Sequence, residues 1–537
     1  MIKADKVYYN GNIYTMNAPN DIVSGIVVYD GKIIATGNDD KVKSYESHEY
    51  IDLKGYTVLP GFADTHMHLY QSCIERLLVN LSDAHSIKEI CNKLRSAVNN
   101  LKPNQWLFGE NIHSDYLIEN RFPNCKELDE ISTTIPIIIG SFCRHTHILN
   151  SKAIEICKLN EIHESMPVDM FEYFKDGNLN GIIKEWAYDK CVVPNLPLNT
   201  LEQNIEYMDE YLKYVASFGI TQLHAYQNDN PDGVMLYELL RRKKGLKCRI
   251  TFNFFPDTQN ETNITTGFGD NMLKIGATKF LIDGSIGSSS ALMYDEYCDA
   301  PGEYGIMTHS QEELNNMVKK AYDKGNDIAI HAIGDKGNDM ALTAFENCYD
   351  ENIGWDRRFY IIHATLISKT FIERAKKLPI LLCTQPIFIR NFVNMSKSKI
   401  GDERDKRFMA FRTMLDNGLI VSAGSDSPVR EINPFNGIEC AVTRKDIGGN
   451  EVISTNQEVS VYEAISMYTK NAAYCSHEEN IKGTLSVGKV ADMVIIDTNP
   501  FTCPINNLHK IKVLETIMGG KTTFKLYQKD TKMVQLL

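Results

Sequence analysis

The sequence lacks several features that mark common classes of protein. No apolar run approaches the roughly 20 residues that a membrane-spanning helix needs, and no basic tract stands out in a chain whose formal net charge is -12. We therefore expect neither a membrane nor a nucleic acid as a partner. The N-terminus has no apolar signal-peptide core, which favours a cytoplasmic location. The 13 cysteines include no Cys-x-x-Cys pair, which is typical of reduced thiols.

The length and the patterns at the two chain ends predict more than one domain. A chain of 537 residues is too long for one ordinary compact core. Short alternating strands and turns fill both ends, as in Val7–Tyr9 and Gly25–Ala35 near the start and Val490–Asp497 near the finish. Neither end holds enough sheet to be stable alone. We expect residues 1–58 and 484–537 to combine into one small β-sandwich.

The middle of the chain alternates helix caps, helices, glycines and strands. Ser310–Glu313 is a capping box, Gly325 ends the helix that follows, and Asp327–His331 is the next strand. This pattern is typical of parallel βα units, and it predicts an α/β fold, a TIM-like (β/α)8 barrel over residues 59–483. The eight strand candidates are Phe62–Thr65, Ile220–His224, Ile250–Phe255, Lys279–Ile282, Ile328–His331, Tyr360–His363, Ile380–Cys383 and Val421–Ser425.

One gap between predicted strands is far too long for a single helix. It runs from His68 to Ile220, and we interpret roughly residues 80–200 as an insertion with its own strand near Ile135–Phe142. Insertions of this kind form lids or substrate walls.

Residues suited to a metal centre recur at the ends of the predicted strands. The first two are His66 and His68, which share one face of a strand because they are two residues apart. Each such residue, taken singly, is often a core histidine, a helix cap or a surface lysine. A shared metal site is the better explanation, because these separate roles would all have to occur by chance at successive predicted strands. The full series is His66, His68, Lys279, His331, His363 and Asp426.

These side chains suit metal-assisted hydrolysis. Neutral imidazoles bind zinc and similar ions, so His66 with His68 could hold one ion, and His331 with His363 a second. Lys279, at the start of its predicted strand, is an unusual ligand because an ammonium repels a metal. Burial beside cations would lower its pKa, and the free amine could add carbon dioxide to form a bridging carbamate. Asp426 could take a proton from a water that the metal makes nucleophilic.

The chain resembles the amidohydrolase superfamily, and within it the branch that contains N-substituted formamide deformylases. The resemblance implies a metal-dependent barrel with a β-sandwich that hydrolyses a non-peptide C–N bond of a small molecule. It also implies that the five histidine and lysine side chains above are ligands and that Asp426 is the general acid/base. The matching segments are Leu59–His68, Leu149–Ala153, Gly177–Glu185, Lys279–Leu292, His331–Asp335, His363–Ala364, Gln385–Pro386, Gly424–Val429 and Gly483–Val494.

Four further positions carry weaker signals. The family often has an arginine where Ser289 stands, so a substrate clamp at that position would be lost. His145 could line the substrate pocket or hold the insertion in place. Glu185 could contact substrate or simply begin a helix. His224 ends a predicted barrel strand and would then face the mouth of the barrel.

Other functions remain open from the sequence. A mononuclear deaminase of the related kind has His-x-x-Glu after the fifth strand, whereas Gly334 stands three residues after His331, so deamination is disfavoured. A lactonase or esterase would use the same metal chemistry. A non-catalytic scaffold or regulator on this fold is disfavoured because every ligand is kept. A homodimer is the common oligomeric state for such a protein.

Overall fold

A computed structural model describes most of the chain. The described residues are 3–99, 101, 105–141, 145–163, 166–227, 233–258, 263–352, 356–445, 449, 453–454 and 456–526. They form two compact units, one made of residues 1–72 with 205–537 and the other of residues 73–204. Within the described residues, no helix is both long enough and apolar enough to cross a lipid bilayer.

The secondary structure of the described residues is as follows. The strands are β1 Ala4–Tyr9, β2 Asn12–Tyr14, β3 Ile22–Val23, β4 Gly25–Tyr29, β5 Lys32–Gly37, β6 Ser47–Asp52, β7 Thr57–Pro60, β8 Phe62–Met67, β9 Val79–Asn80, β10 Leu107–Ile112, β11 Ile137–Ser141, β12 Thr146–Leu149, β13 Phe171–Tyr173, β14 Leu179–Lys184, β15 Ile220–Gln227, β16 Arg249–Phe254, β17 Leu273–Leu281, β18 Ile328–Ala332, β19 Phe359–His363, β20 Ile380–Thr384, β21 Ile420–Ala423, β22 Met493–Ile496, β23 Val513–Met518 and β24 Lys521–Lys525. The α-helices are α1 Asp39–Lys43, α2 Leu69–Glu75, α3 Ile87–Val98, α4 Cys125–Asp129, α5 Ser151–Ile156, α6 Leu159–Ile162, α7 Trp186–Cys191, α8 Leu201–Ala216, α9 Gly233–Lys244, α10 Gln311–Asp323, α11 Asp335–Cys348, α12 Phe371–Ala375, α13 Ile389–Asp405, α14 Phe411–Asp416, α15 Pro434–Thr443, α16 Val461–Met467 and α17 Lys470–Tyr474.

Eight parallel strands form a nearly closed barrel in the first unit. Their order is β21-β20-β19-β18-β17-β16-β15-β8, and the two edge strands meet where Thr65 Oγ1 lies 3.1 Å from Ser422 Oγ. The middle strands are continuous apolar runs because helices cover the outer face of such a sheet. The predicted (β/α)8 class is confirmed, and each of the eight predicted strand segments overlaps a strand of the barrel.

Strands from both ends of the chain form two further sheets in the first unit. One has the order β5-β4-β1-β6 and the other β24-β23-β22-β7-β2-β3. The C-terminal β22 pairs antiparallel with the N-terminal β7. Tyr8 and Ile26 of the first sheet share an apolar core with Val58, Met493 and Ile517 of the second. The predicted boundaries, residues 1–58 with 484–537 for a sandwich and 59–483 for the barrel, stay a prediction.

The second unit is a six-stranded mixed sheet with helices. Its strand order is β13-β14-β12-β11-β10-β9, and Ile90 and Leu94 of α3 belong to the same apolar core as Leu107 and Ile139 of the sheet. Helix α3 begins at Ser86, whose side chain accepts a hydrogen bond from the Glu89 N–H, as its capping sequence predicts. The strand predicted inside the insertion is present as β11 as far as Ser141. Residue 142 lies outside the described part of the chain.

Two positions on the barrel strands differ from the sequence-based expectation. Strand β17 begins at Leu273, so Lys279 lies near its C-terminal end and not at its start. Strand β15 continues past His224 to Gln227, so His224 does not end its strand. The position of Lys279 near the C-terminal end of β17 favours the predicted role in a metal centre, because the C-terminal ends of barrel strands carry the active sites of such folds.

Candidate metal centre

Two histidines and one aspartate converge where β8 and β21 end. His66 Nε2 lies 3.1 Å from Asp426 Oδ1, and His68 Nε2 lies 3.3 Å from the same oxygen. One nitrogen of each imidazole and one carboxylate oxygen all lie within 4.8 Å of one another. The predicted placement of His66 and His68 on one face therefore brings both rings to a single point.

Backbone hydrogen bonds fix the geometry of this convergence. The Asp426 N–H donates to the His66 carbonyl over 2.7 Å. Asp64, which is buried, accepts hydrogen bonds from the N–H groups of His66 and Ser425 at 3.1 Å each. A side chain at Gly424 would approach the His66 nitrogen to 2.5 Å, so only glycine allows β8 and the segment after β21 to lie this close.

His331 and His363 extend the cluster from two neighbouring strands. The ring centres of His331 and His363 are 4.5 Å apart, and those of His363 and His66 are 5.3 Å apart. His331 comes from β18 and His363 from β19, which are paired in parallel. The four histidines thus form one continuous group of rings at the C-terminal end of the barrel.

Carbonyl acceptors determine which nitrogen of three rings carries the proton. His68 Nδ1 donates to the Tyr226 carbonyl over 3.1 Å, and His331 Nε2 lies 3.2 Å from the Gly284 carbonyl. His363 Nδ1 donates to Gln385 Oε1 over 2.6 Å, and Gln385 Nε2 in turn donates to a backbone carbonyl, which fixes the orientation of the amide. Each ring is left with one basic nitrogen, the arrangement found around metal-binding histidines.

Lys279 is buried in the same region. Its Nζ lies 4.7 Å from the centre of the Tyr226 ring, and that ring also packs against His66, with 4.5 Å between ring centres. Burial lowers the pKa of the Lys279 amine from 10.5 to about 8. Burial is also the largest cause that lowers the pKa of His66 to about 3 and that of His331 to about 4, so both imidazoles are neutral at physiological pH.

The donor set fits a divalent transition metal. Neutral imidazole nitrogens with a carboxylate oxygen are the ligands that zinc prefers. Burial lowers the pKa of His66, His331 and His363, so no proton has to leave these three rings before a metal binds.

The structure brings together the main predicted site residues. His66, His68, Lys279, His331, His363 and Asp426 form the group described above.

The three weaker candidates have other surroundings. His145 and Glu185 belong to the second unit, where His145 Nδ1 lies 3.0 Å from Glu185 Oε2. His224 is buried with its Nε2 3.2 Å from the Gln222 amide, and the expectation that it faces the mouth of the barrel was wrong because β15 runs on beyond it.

Several residues with structural roles at the centre were not predicted from the sequence. Asp64 lies two residues before the His-x-His motif, in the matching segment Leu59–His68, and Gln385 lies in the matching segment Gln385–Pro386, so both had a signal. Tyr226 contacts Lys279, His66 and His68 from β15 without any local pattern that marks it.

Comparisons with known proteins agree with this geometry. A profile of the amidohydrolase family matches residues 49–524. The chain belongs to this family.

Its relatives include both sequences and solved structures. YtcJ of Bacillus subtilis is 28% identical over 535 residues, covering 97% of this chain and 99% of YtcJ. An N-substituted formamide deformylase of Arthrobacter pascens is 24% identical over 541 residues, covering 96% and 97% of the two chains. A metal-dependent hydrolase from Pyrococcus horikoshii OT3 has a TM-score of 0.77 at 29% identity, covering 93% of this chain and 99% of that one. The predicted family and branch are therefore confirmed.

Proposed function

We propose that this amidohydrolase hydrolyses a non-peptide C–N bond, an amide or formamide, in a small molecule. The ligands of its metal centre are His66, His68, Lys279, His331 and His363, and Asp426 is the general acid/base. Zinc is the metal that these donors suit, with one or two ions per chain.

The observation that carries the proposal is that the imidazole rings of His66 and His68 both contact the carboxylate of Asp426. Their Nε2 atoms lie 3.1 and 3.3 Å from one carboxylate oxygen. The charge of this carboxylate also acts on Lys279 and on Arg430, where it opposes the effect of burial on the pKa of each cation. Such a site can hold a cation and move a proton at the same point, which is what hydrolysis by an activated water requires.

Each step of amide hydrolysis can be assigned to a group of this chain. A bound divalent ion would supply polarisation of the substrate carbonyl and would make water more acidic. The Asp426 carboxylate accepts a proton from the attacking water and returns it to the leaving nitrogen, so that the C–N bond breaks with a neutral amine as the product. Tyr226 and Gln385 orient His68 and His363 through the hydrogen bonds described above.

The proposal includes carboxylation of Lys279. Its buried amine adds carbon dioxide and releases one proton, which gives a carbamate anion that can bridge two ions. Support comes from the burial of Lys279, from its lowered pKa and from its position near the C-terminal end of β17 beside His66. A lysine ammonium would repel a metal at this point, whereas the carbamate attracts it.

The choice of a C–N bond rests on one relative. The Arthrobacter pascens protein is named for deformylation of N-substituted formamides and aligns with 96% of this chain. Lactones and nucleosides, the substrates of the alternative enzymes, therefore serve as controls in the test.

The test compares four substrates on zinc-loaded protein: an N-substituted formamide, an N-acetyl amine, a γ-lactone and adenosine. We expect release of amine from one of the first two. Asp426→Asn should lower kcat by about 10²–10⁴-fold, the usual contribution of a general acid/base, while the protein keeps its fold. Asp416→Asn, which changes an exposed partner of Arg412 on α14, is the matched control and should keep full activity. Turnover of the lactone or of adenosine alone would refute the proposal.

A further inference from the structure

Arg430 is a cation placed close to the candidate centre. It follows Asp426 by four residues in the segment between β21 and α15. Its guanidinium lies over the ring of Phe388, 5.4 Å from the ring centre. The Phe388 ring stacks with His363, with 6.2 Å between the ring centres and 23° between the planes. One aromatic ring therefore links the guanidinium to a proposed metal ligand.

The hydrogen-bonding capacity of Arg430 is only partly used. Its Nη1 donates to the neighbouring Val429 carbonyl over 2.6 Å. Its Nε is buried and has no hydrogen-bond partner within the part of the chain that the structure describes. Burial also works against the charged guanidinium, since it is the largest cause that lowers the Arg430 pKa. A half-buried cation with spare donors is costly unless an anion accompanies it.

The nearest carboxylate in sequence, Glu431, forms its hydrogen bonds with other residues, although its charge opposes the effect of burial on Arg430. Glu431 Oε1 accepts hydrogen bonds from Arg390 Nη1 at 3.3 Å and from Asn436 Nδ2 at 2.8 Å. Among the described residues, Arg430 forms no ion pair with any carboxylate, whereas the neighbouring Arg390 pairs with Glu431 and Glu439. The two arginines thus differ: Arg390 is ion-paired within the protein, whereas Glu431 and Asp426 act on Arg430 only through their charge, without a direct ion pair.

We propose that Arg430 binds a carboxylate on the substrate, so that the enzyme prefers amides whose acyl or amine part carries this group. The inference rests on the proposed function, because it assigns a substrate class to the same site. The planar fork of a guanidinium matches a carboxylate, and the Phe388 ring holds the fork in place. Arg430 is then a specificity-determining residue that acts at a distance from the bond that breaks.

The test uses two probes that differ in one group, N-formylphenylalanine and N-formylphenylalaninamide. For the wild type we expect kcat/KM to be roughly tenfold or more higher for the carboxylate, as expected for a hydrogen-bonded charge pair. Arg430→Met should remove that preference mainly through KM, and Arg430→Lys should restore part of it. Arg374→Met removes a partly exposed guanidinium of α12 that is ion-paired with Glu346 of α11, so it is the matched control and should keep the wild-type preference. Melting temperatures show whether each variant is folded. If Arg430→Met is unstable, the preference of the wild type for the carboxylate probe is compared with that of Arg430→Lys instead.

A binding measurement separates failure of this inference from failure of the proposed function. Calorimetry with the purified full-length protein gives the Kd of both probes whether or not they are hydrolysed. A preference for the carboxylate that Arg430→Met abolishes supports the inference even if neither probe is turned over, in which case the proposed deformylation of these probes is wrong. Equal binding and equal turnover of the two probes by the wild type would overturn the inference and leave the hydrolase proposal intact. Absence of binding by either probe would also overturn it.

Discussion

At the scale of single residues, the centre depends on two unusual backbone conformations. His363 has a φ of 79° and Asp426 a φ of 59°, in the left-handed region that favours glycine. Each such residue costs on the order of 1–3 kcal/mol, and such residues concentrate at functional sites. Hydrogen bonds hold both in place, from His363 to Gln385 and from the Asp426 N–H to His66. These backbone conformations therefore direct the side chains of His363 and Asp426 towards the candidate metal centre.

Removal of the Gln385 amide should weaken metal binding without unfolding the protein. Gln385 Oε1 accepts the proton of His363 Nδ1 over 2.6 Å and so fixes which nitrogen of the ring is free. Loss of such a contact usually lowers metal affinity by about 10–100-fold. We expect Gln385→Ala to show this decrease when zinc is titrated against a competing chelator.

Two variants complete that titration. Gln385→Glu keeps an oxygen acceptor and should retain most of the affinity. Gln311→Ala removes an amide from α10 that contacts Asn315 and Met340, and it should leave zinc binding unchanged. Wild-type affinity in Gln385→Ala would show that Gln385 does not orient His363.

Residue types explain what the sequence could predict at this scale. Histidine and aspartate at strand ends are recognisable as possible ligands, and the six residues predicted for the centre do lie together. Tyr226 contacts Lys279, and Arg430 contacts the ring of Phe388. In both pairs the partners are far apart in the sequence. No local pattern encodes such contacts, so the sequence alone did not single them out.

At the scale of elements, β17 shows where the sequence pattern fails. Most barrel strands are apolar runs that end at a polar residue, and their positions were predicted. The first half of β17 contains Lys274 and Gly276, which interrupt the apolar pattern. A side chain at Gly276 would lie 2.3 Å from Asn253 Oδ1, and that oxygen accepts the Ala277 N–H over 2.8 Å. Lys274 instead pairs with Glu478. Both residues satisfy tertiary contacts, so the strand starts six residues before Lys279.

The ion pairs of Glu478 make stability depend on pH. Glu478 is buried and lies 3.2 Å from Lys274 and 2.5 Å from Lys482. Burial opposes its charge, but the two ammonium groups outweigh burial and lower its pKa from 4.5 to about 2. The folded pKa is lower than the unfolded one, so the carboxylate stabilises the fold above pH 4.5 and this contribution is lost as pH falls towards 2.

Glu478→Gln should therefore be less stable than the wild type by about 3–5 kcal/mol at neutral pH, the usual cost of breaking a buried pair. The difference should shrink as the pH falls below 4.5, as measured by denaturant titrations at several pH values. Glu206→Gln changes an exposed partner of Lys244 and should show a small difference that does not vary in this way. A constant difference for Glu478→Gln across the pH range would contradict the assigned role.

At the scale of the whole molecule, the two chain ends and the barrel form one compact unit. Strand β22 pairs with β7, and Arg249 of β16 makes a bidentate ion pair with Asp492, just before β22. Length and strand patterns were enough to predict the barrel. The domain boundaries, the cytoplasmic location, the homodimer and the roles of His145 and Glu185 stay predictions.

The most direct test of the central claim is the metal content per chain of protein purified without chelator. Wild type, Lys279→Ala and Lys319→Ala should be measured side by side by plasma mass spectrometry. A carbamate that bridges two ions predicts about two divalent ions in the wild type, fewer in Lys279→Ala, and wild-type content in Lys319→Ala, whose lysine is exposed on α10 and pairs with Asp323. One ion that survives Lys279→Ala would contradict the bridging carbamate. Absence of metal from the wild type, even after incubation with zinc and bicarbonate, would contradict the account as a whole.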